Sequence, residues 1–449
     1  MTLTTACASY ELEIDAPSES RIDEEIEITV RGADPGEEIE VTAETHDAEG
    51  NSWSADAVYT AGSDGTLRLA EAEPLSGSYD EADPMGLFWS MEPDEDSDRV
   101  TGYLPPIEGM KVVLTAETNA GSENQVELLR GFGPDEAEMK WIAENGVVGD
   151  YFSPDTDEEL PGVILLHGAP ARRMNFESMV LASHGYRVFA PLYFQPENEQ
   201  QLGDHLKDVS DLPETLDERP IEYVQDAIEW LRSRPDVADE PVGVGGVSRG
   251  GELALIAGEY VDGIGAIVSW HSPGFPQSAF LGVSHRSPDS SAWSFEGEPL
   301  RYLRRSRRDV LETTIDASFV GEESIEPADM WQKIEPMVDD ELQIRLENSE
   351  VPVLLISGID DLFFNAAAFQ EAVVEHLQEI DYELPFEHRY YQDAGHSFFL
   401  PYLPQYTDMG LAGAMARTPG GAPAGDAAAA ADSWPRALEY FRMGAEEDF

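Results

Sequence analysis

One cysteine, Cys7, stands in 449 residues, which excludes an intramolecular disulfide framework and any cysteine-built metal cluster. Cations are scarce as well: 27 Lys and Arg face 90 Asp and Glu, a formal charge of −63. Lysine occurs only at Lys111, Lys140, Lys207 and Lys333, so nearly all positive charge is guanidinium. A surface this anionic opposes a polyanion, and non-specific nucleic-acid binding is not expected. No run approaches the roughly 18 apolar residues of a membrane span, and the opening residues are too short for the apolar core of a signal peptide. Hydrophobic residues still make up 41% of the chain, which is not the composition of a disordered protein. A folded chain of this charge repels itself in dilute salt, and concentrated counterions relieve the repulsion by shrinking the Debye length to about 3 Å at 1 M. Composition therefore predicts a cytoplasmic protein of a salt-accumulating halophile, with a haloarchaeon as the expected source.

What is present falls into two blocks. Up to residue 131, apolar and polar residues alternate in Ile26–Val30, Ile39–Ala43 and Met110–Ala116, separated by turn chemistry such as Asp34-Pro35-Gly36 and Ser63-Asp64-Gly65. Short alternating strands at this spacing predict an immunoglobulin-like β-sandwich over residues 1–131. Over residues 132–449, aliphatic strands alternate with helical patterns, which specifies a doubly wound, mostly parallel sheet with ligands at its C-terminal edge. Residues of about 272–345 interrupt that alternation and read as a cap-like insertion near the active-site edge. A last helix is expected near Trp434–Met443, with Ala427–Ala431 readable as an ordered loop or as a helix start.

The chemistry concentrates in the second block. Val242-Gly-Val-Gly-Gly-Val-Ser248-Arg-Gly-Gly251 is an apolar strand that runs through G-x-S-x-G into a helix. In such a strand–turn–helix elbow the serine hydroxyl projects from the sheet, and Gly246 and Gly250 stand where a Cβ would clash. The first helical N–H groups, that of Arg249 included, point at a developing oxyanion. Downstream, Val351–Ser357 reads as a buried strand leading to Gly358-Ile-Asp360-Asp361, and Tyr390–Gln392 leads to a Gly395-His396 loop. The order nucleophile, acid, histidine predicts Ser248, Asp361 and His396 as a triad. Spacing from Gly358 favours Asp361, which leaves Asp360 as a turn residue. His167 lies upstream of the nucleophile, at a strand end, and is read as structural. His184, His205, His271, His285, His376 and His388 are expected at the surface or in packing.

Several stretches together resemble the acyl-CoA thioesterase / bile acid-CoA:amino acid N-acyltransferase family, an α/β-hydrolase branch close to the dienelactone hydrolases. They are Ile221–Leu231, Gly246–Leu255, Ser357–Asp361 and Gly395–Pro404, with Trp53–Tyr59 and Gly77–Met91 resembling the family's N-terminal β-domain. The resemblance implies an α/β-hydrolase domain behind the β-sandwich and acyl-CoA as substrate. In that family, cysteine at the elbow accompanies acyl transfer to amino acids and serine accompanies hydrolysis, so Ser248 implies a thioesterase. No metal or organic cofactor is implied. The family's glycine-rich turn is here His167-Gly168-Ala169, which makes the Ala169 N–H the expected second oxyanion donor. A carboxylester or dienelactone-type hydrolase is the alternative in chemistry, and a non-catalytic binding protein on a hydrolase scaffold the alternative in class.

Arginines cluster in the expected cap. If that segment is helical, Arg301, Arg304, Arg305 and Arg308 share one face at i, i+3, i+4 and i+7, while Arg172 and Arg173 follow the oxyanion loop. Both sets are candidates for the phosphates of coenzyme A, since guanidinium pairs with phosphate through two hydrogen bonds. The plainer reading is that they neutralise adjacent acidic surface.

Overall fold

A computed structural model describes residues 11–94, 100, 102–133, 137–196, 202–279, 290–303, 342–363, 365–405 and 419–446. The chain divides into two compact units, Met1–Gly133 with Leu400–Asp408, and Pro134–Phe399 with Met409–Phe449.

The first unit is β-rich, as the alternating pattern requires. A three-stranded antiparallel sheet joins Glu13–Asp15, Thr29–Arg31 and Thr66–Arg68. A larger sheet is built on four nine-residue strands, Glu38–His46, Ser52–Thr60, Met110–Thr118 and Glu123–Gly131. Along the first of these, Ile39, Val41 and Ala43 are buried and Glu38, Glu40 and Glu44 exposed. A one-residue slip would bury the glutamates, so the pattern fixes the register. Full burial of a side chain the size of Ile39 or Val41 contributes about 1.5–3 kcal/mol. The segment Leu400–Asp408 groups with this unit although the sequence places it beyond His396: Gln405 N–H donates to Trp89 O at 2.8 Å, and the Arg130 guanidinium lies over the rings of Phe88 and Tyr402 at 4.8 and 6.0 Å.

The second unit is organised by an eight-stranded sheet. In chain order its strands are β1 (Ala137–Glu144), β2 (Val147–Pro154), β3 (Gly162–Leu166), β4 (Arg187–Pro191), β5 (Val242–Val247), β6 (Ile264–Trp270), β7 (Val353–Gly358) and β8 (Phe386–Tyr391). Their spatial order is β1-β2-β4-β3-β5-β6-β7-β8. β2 pairs antiparallel with β1 and β4, and all other pairs are parallel. Strands β3, β6 and β7 are buried along their whole length, as parallel strands covered on both faces must be. The covering helices are α1 (Asn175–Ser183), α2 (Glu222–Arg232), α3 (Arg249–Tyr260), α4 (Ala366–Glu379) and α5 (Pro423–Glu446). This is the doubly wound sheet that the strand–helix alternation predicts and the α/β-hydrolase architecture that the family resemblance implies.

Three details differ from the sequence reading. The β1–β2 hairpin was not anticipated, although it turns on Asn145-Gly146, both with positive φ (52° and 84°), as a two-residue hairpin loop requires. The last helix starts at Pro423 rather than near Trp434, so the alanines are helical and Pro435 sits inside. Within the expected cap, the described residues include two short strands, Trp293–Phe295 and Glu298–Pro299, joined to Arg219–Pro220 in a small sheet. Among the described residues, no helix is long and apolar enough to cross a membrane.

Candidate active site

Sheet register gathers the chemistry at one edge. Leu166 on β3 faces Gly246 on β5, Val247 faces Trp270 on β6, and Trp270 faces Ile356 on β7. Ser248 and His271 are the first residues past this row, and Asp361 and His396 follow β7 and β8. All four therefore leave the sheet at its C-terminal edge.

The elbow is sterically crowded, and its glycines are required. A Cβ on Gly246 would lie 2.2 Å from Gly250 O, and one on Gly250 would lie 2.4 Å from Leu166 O. Ser248 itself has φ 57° and ψ −116°, a conformation costing on the order of 1–3 kcal/mol for a residue with a Cβ. The bond from its N–H to Trp270 O at 2.8 Å helps hold it there. Glu252 N–H donates to Ser248 O at 3.0 Å, which leaves the N–H groups of Arg249, Gly250 and Gly251 ahead of the first intrahelical bond. The Gly168 loop runs alongside: a Cβ built on Gly168 would lie 3.9 Å from Ser248 Oγ. Ala169, the expected second donor, is next in that loop, and its bond to Pro170 is cis.

Asp361 and His396 meet. His396 Nδ1–H donates to Asp361 Oδ2 at 2.7 Å, and Phe363 N–H donates to Asp361 Oδ1 at 2.8 Å. Asp361 is buried and Asp360 is exposed, so the spacing argument that separated the two neighbours selects the carboxylate that faces the imidazole. With Nδ1–H given to Asp361, a neutral His396 carries its lone pair on Nε2, the protonation pattern of a general base.

Two buried groups beside this pair were not singled out from sequence. His271, expected only at the surface or in packing, is fully buried with its ring centroid 5.3 Å from that of His396. Its Nε2 lies 2.8 Å from Phe398 O; a carbonyl only accepts, so Nε2 bears the proton. Burial, and then the neighbouring His396, push its pKa down to about 4. Asp426, in the first turn of α5, accepts from Gly395 N–H at 2.7 Å, and burial raises its pKa to about 7, against the lowering effect of that hydrogen bond. A histidine immediately after a strand of the central sheet is a signal that sequence carries; an aspartate opening an alanine-rich helix reads simply as a favourable helix-dipole residue.

Other polar groups have structural partners. His167 is fully buried, stacks on Tyr193 at 4.0 Å between ring centroids and donates Nδ1–H to Gly168 O at 2.7 Å; burial lowers its pKa to about 3. Arg249 extends its side chain to the buried Glu252, Nη1 to Oε2 2.7 Å, and donates Nη2–H to Ser278 O at 3.1 Å. Glu252 Oε1 also accepts from Trp293 Nε1 at 2.6 Å and Gln277 N–H at 2.9 Å. Of the arginines considered for phosphate, Arg173 makes a two-point pair with the buried Asp150 at 2.7 and 2.5 Å, and Arg172 pairs with Glu177 at 2.5 Å. Arg301 is exposed, and Arg304, Arg305 and Arg308 lie outside the described residues.

Comparison with known proteins matches this architecture. The family described as "Acyl-CoA thioester hydrolase/BAAT N-terminal region" matches residues 23–133, and "BAAT / Acyl-CoA thioester hydrolase C terminal" matches residues 220–445. The dienelactone hydrolase family matches residues 148–288. Among relatives, the chain is 27% identical to mouse mitochondrial acyl-coenzyme A thioesterase 2, covering 98% of this chain and 90% of that one. It is 25% identical to mouse peroxisomal succinyl-coenzyme A thioesterase, covering 88% and 86%. A crystal structure of a putative dienelactone hydrolase from Klebsiella pneumoniae superposes with a TM-score of 0.40 at 16% identity, covering 68% of this chain and 98% of that one.

Proposed function

Because the chain belongs to the BAAT / acyl-CoA thioester hydrolase family, we propose that it hydrolyses acyl-CoA thioesters through an acyl-enzyme on Ser248. The observation that carries this reading is the 2.7 Å bond from His396 to the buried Asp361, at the same sheet edge as a serine on a left-handed elbow. Ser248 Oγ adds to the thioester carbonyl while His396 Nε2 takes its proton. The oxyanion is held by the N–H of Arg249 and that of Ala169. Collapse breaks the C–S bond, and the thiolate leaves with the proton from His396. Water, deprotonated by His396, then attacks the acyl-enzyme, and the carboxylate and free Ser248 are released. Asp361 orients the imidazole and stabilises its cation. This route calls on no metal or organic cofactor.

Serine at position 248 supports hydrolysis over transfer to an amine, because the family's acyltransferases carry cysteine there. A second reading, a carboxylester or dienelactone-type hydrolase, is favoured by the match over residues 148–288, since the same triad cleaves esters. The N-terminal unit is proposed as an immunoglobulin-like sandwich, and the charge of −63 supports a cytoplasmic setting in a salt-accumulating cell such as a haloarchaeon. The test is purified protein in molar KCl, assayed against a panel of acyl-CoA thioesters and against short p-nitrophenyl esters. A higher kcat/KM on thioesters is expected; turnover of esters alone would establish the second reading, and failure of both together with no labelling by a fluorophosphonate would remove the hydrolase assignment.

A further inference from the structure

We propose that His271, Asp361 and His396 together form an inhibitory binding site for a divalent transition-metal ion of the zinc class. The effect on activity rests on the triad reading above; the binding itself does not.

The His271 N–H donates to Ile356 O at 2.8 Å, which extends the β6–β7 ladder past Trp270, and the φ of 50° at His271 departs from the strand conformation. The ring is thereby carried on the rigid end of a buried strand. Nε2–H is held by Phe398 O at 2.8 Å, which leaves Nδ1 as an unprotonated lone pair. That atom is buried and has no hydrogen-bond partner among the described residues. An imidazole that gives one N–H to a backbone carbonyl and keeps the other nitrogen bare has the arrangement typical of a metal-ligating histidine.

Two more donor residues lie within reach of His271. One ligand atom from each of His271, Asp361 and His396 lies within 4.8 Å of the other two. A tetrahedral ion with bonds of about 2.0–2.2 Å needs donors roughly 3.5 Å apart, so the donors must draw together, and the partly exposed His396 ring is the one placed to rotate. Two imidazoles and a carboxylate suit Zn²⁺, Co²⁺, Ni²⁺ or Cu²⁺, whereas Mg²⁺ prefers an all-oxygen set. Occupation inhibits through either nitrogen of His396. Coordination by Nδ1 displaces its proton to solvent and breaks the bond to Asp361; coordination by Nε2 removes the lone pair that would deprotonate Ser248.

The test uses the full chain in molar salt. Zn²⁺ is titrated against both thioester hydrolysis and fluorophosphonate labelling, with Mg²⁺ as control and EDTA for reversal, and Co²⁺ binding is followed by its visible absorption. The His271→Gln variant keeps an N–H donor for Phe398 O but lacks the imidazole lone pair, and it should need about 10- to 100-fold more Zn²⁺ for half inhibition. Its Co²⁺ affinity should fall in parallel, and Asp361→Asn, read by Co²⁺ absorption alone, should fall likewise. Absence of Zn²⁺ inhibition, equal sensitivity of His271→Gln, or equal inhibition by Mg²⁺ would overturn the proposal. If no thioester is turned over, the labelling and Co²⁺ arms still decide it, so its failure is separable from failure of the thioesterase reading.

Discussion

The Ser248 corner and the Asp361–His396 corner of this sheet edge are built in different ways. At the first, the stretch Gly246–Glu252 supplies the strand end, the serine, the glycines that let the backbone fold back on itself and the leading N–H groups of α3. At the second, Asp360 N–H donates to Ala394 O and His396 N–H to Pro419 O, both at 3.0 Å, while Gly395 N–H reaches Asp426 at 2.7 Å and Asp361 bridges to Gly420. A short motif can encode a local turn, but a corner assembled from segments tens of residues apart depends on how the whole unit packs. Each of the following substitutions tests one side of that contrast.

The largest effect is expected at the local corner. Ser248→Ala should lower kcat by about 10³–10⁶-fold and abolish fluorophosphonate labelling, while the urea midpoint stays near the wild-type value. Retention of more than about a tenth of the activity would remove Ser248 as nucleophile. On the assembled side, Asp361→Asn should cost about 10⁴-fold in kcat, because the amide no longer orients and stabilises the charged imidazole. Asp360→Asn, altering an exposed neighbour, should change kcat/KM little; reversal of this ranking would show that the 2.7 Å bond is not the productive one.

Glu252 shows where the local corner stops being local. It shares the first turn of α3 with Arg249, yet its carboxylate also binds Gln277 and Trp293 from beyond β6. Glu252→Ala strands Arg249 in the interior, and removal of one partner of a buried pair costs about 3–5 kcal/mol. Urea unfolding in molar KCl measures the loss. A change below about 1 kcal/mol would place the pair in the class of exposed ion pairs and make the elbow self-sufficient.

The Asp426 carboxyl gives the assembled corner a pH dependence. Its folded pKa of about 7 lies above the ordinary 3.8, so between these values the folded state keeps a proton that the unfolded state has lost. The resulting stabilisation is full below the unfolded pKa and disappears as pH rises through 7. Asp426→Asn keeps an acceptor for Gly395 N–H and removes the titration. Wild-type stability should therefore fall relative to the variant by roughly 2–3 kcal/mol between pH 5 and pH 8, and urea unfolding at the two values checks the sign; parallel curves would contradict the raised pKa.

The same contrast governs what could be read in advance. The elbow, the aliphatic strands and the carboxylate that pairs with His396, Asp361 and not Asp360, were legible because each depends on spacing within a few residues. The β1–β2 hairpin was equally legible in Asn145-Gly146 and was passed over. The start of the last helix was less legible: the stretch Ala427–Ala431, readable as loop or helix start, belongs to the 24-residue α5, which carries on past Pro435. Glu252 and Asp426 gave little warning, since their importance comes from burial against residues far away in sequence. Nothing near Leu400–Asp408 signals that it groups with the N-terminal unit.

The smallest expected effect concerns how so acidic a chain would hold the phosphates of coenzyme A. Arg173 makes two hydrogen bonds to the buried Asp150, and freeing it would leave that carboxylate unpaired in the interior, so it is poorly placed to change partners. Arg172 pairs with Glu177 at 2.5 Å but remains 46% exposed. The phosphate-binding proposal thus narrows to Arg172 and to Arg301 with Arg304, Arg305 and Arg308. In molar salt, long-range steering is screened, and only short guanidinium–phosphate pairs retain strength. Replacement of Arg304, Arg305 and Arg308 by glutamine should lower kcat/KM for an acyl-CoA by on the order of tenfold, the equivalent of about 1.4 kcal/mol. The same acyl group on N-acetylcysteamine, which carries no phosphate, should be cleaved at the wild-type rate. Equal losses on both substrates would make these arginines part of the scaffold, and no loss on either would leave them as neutralisers of the surrounding acidic surface.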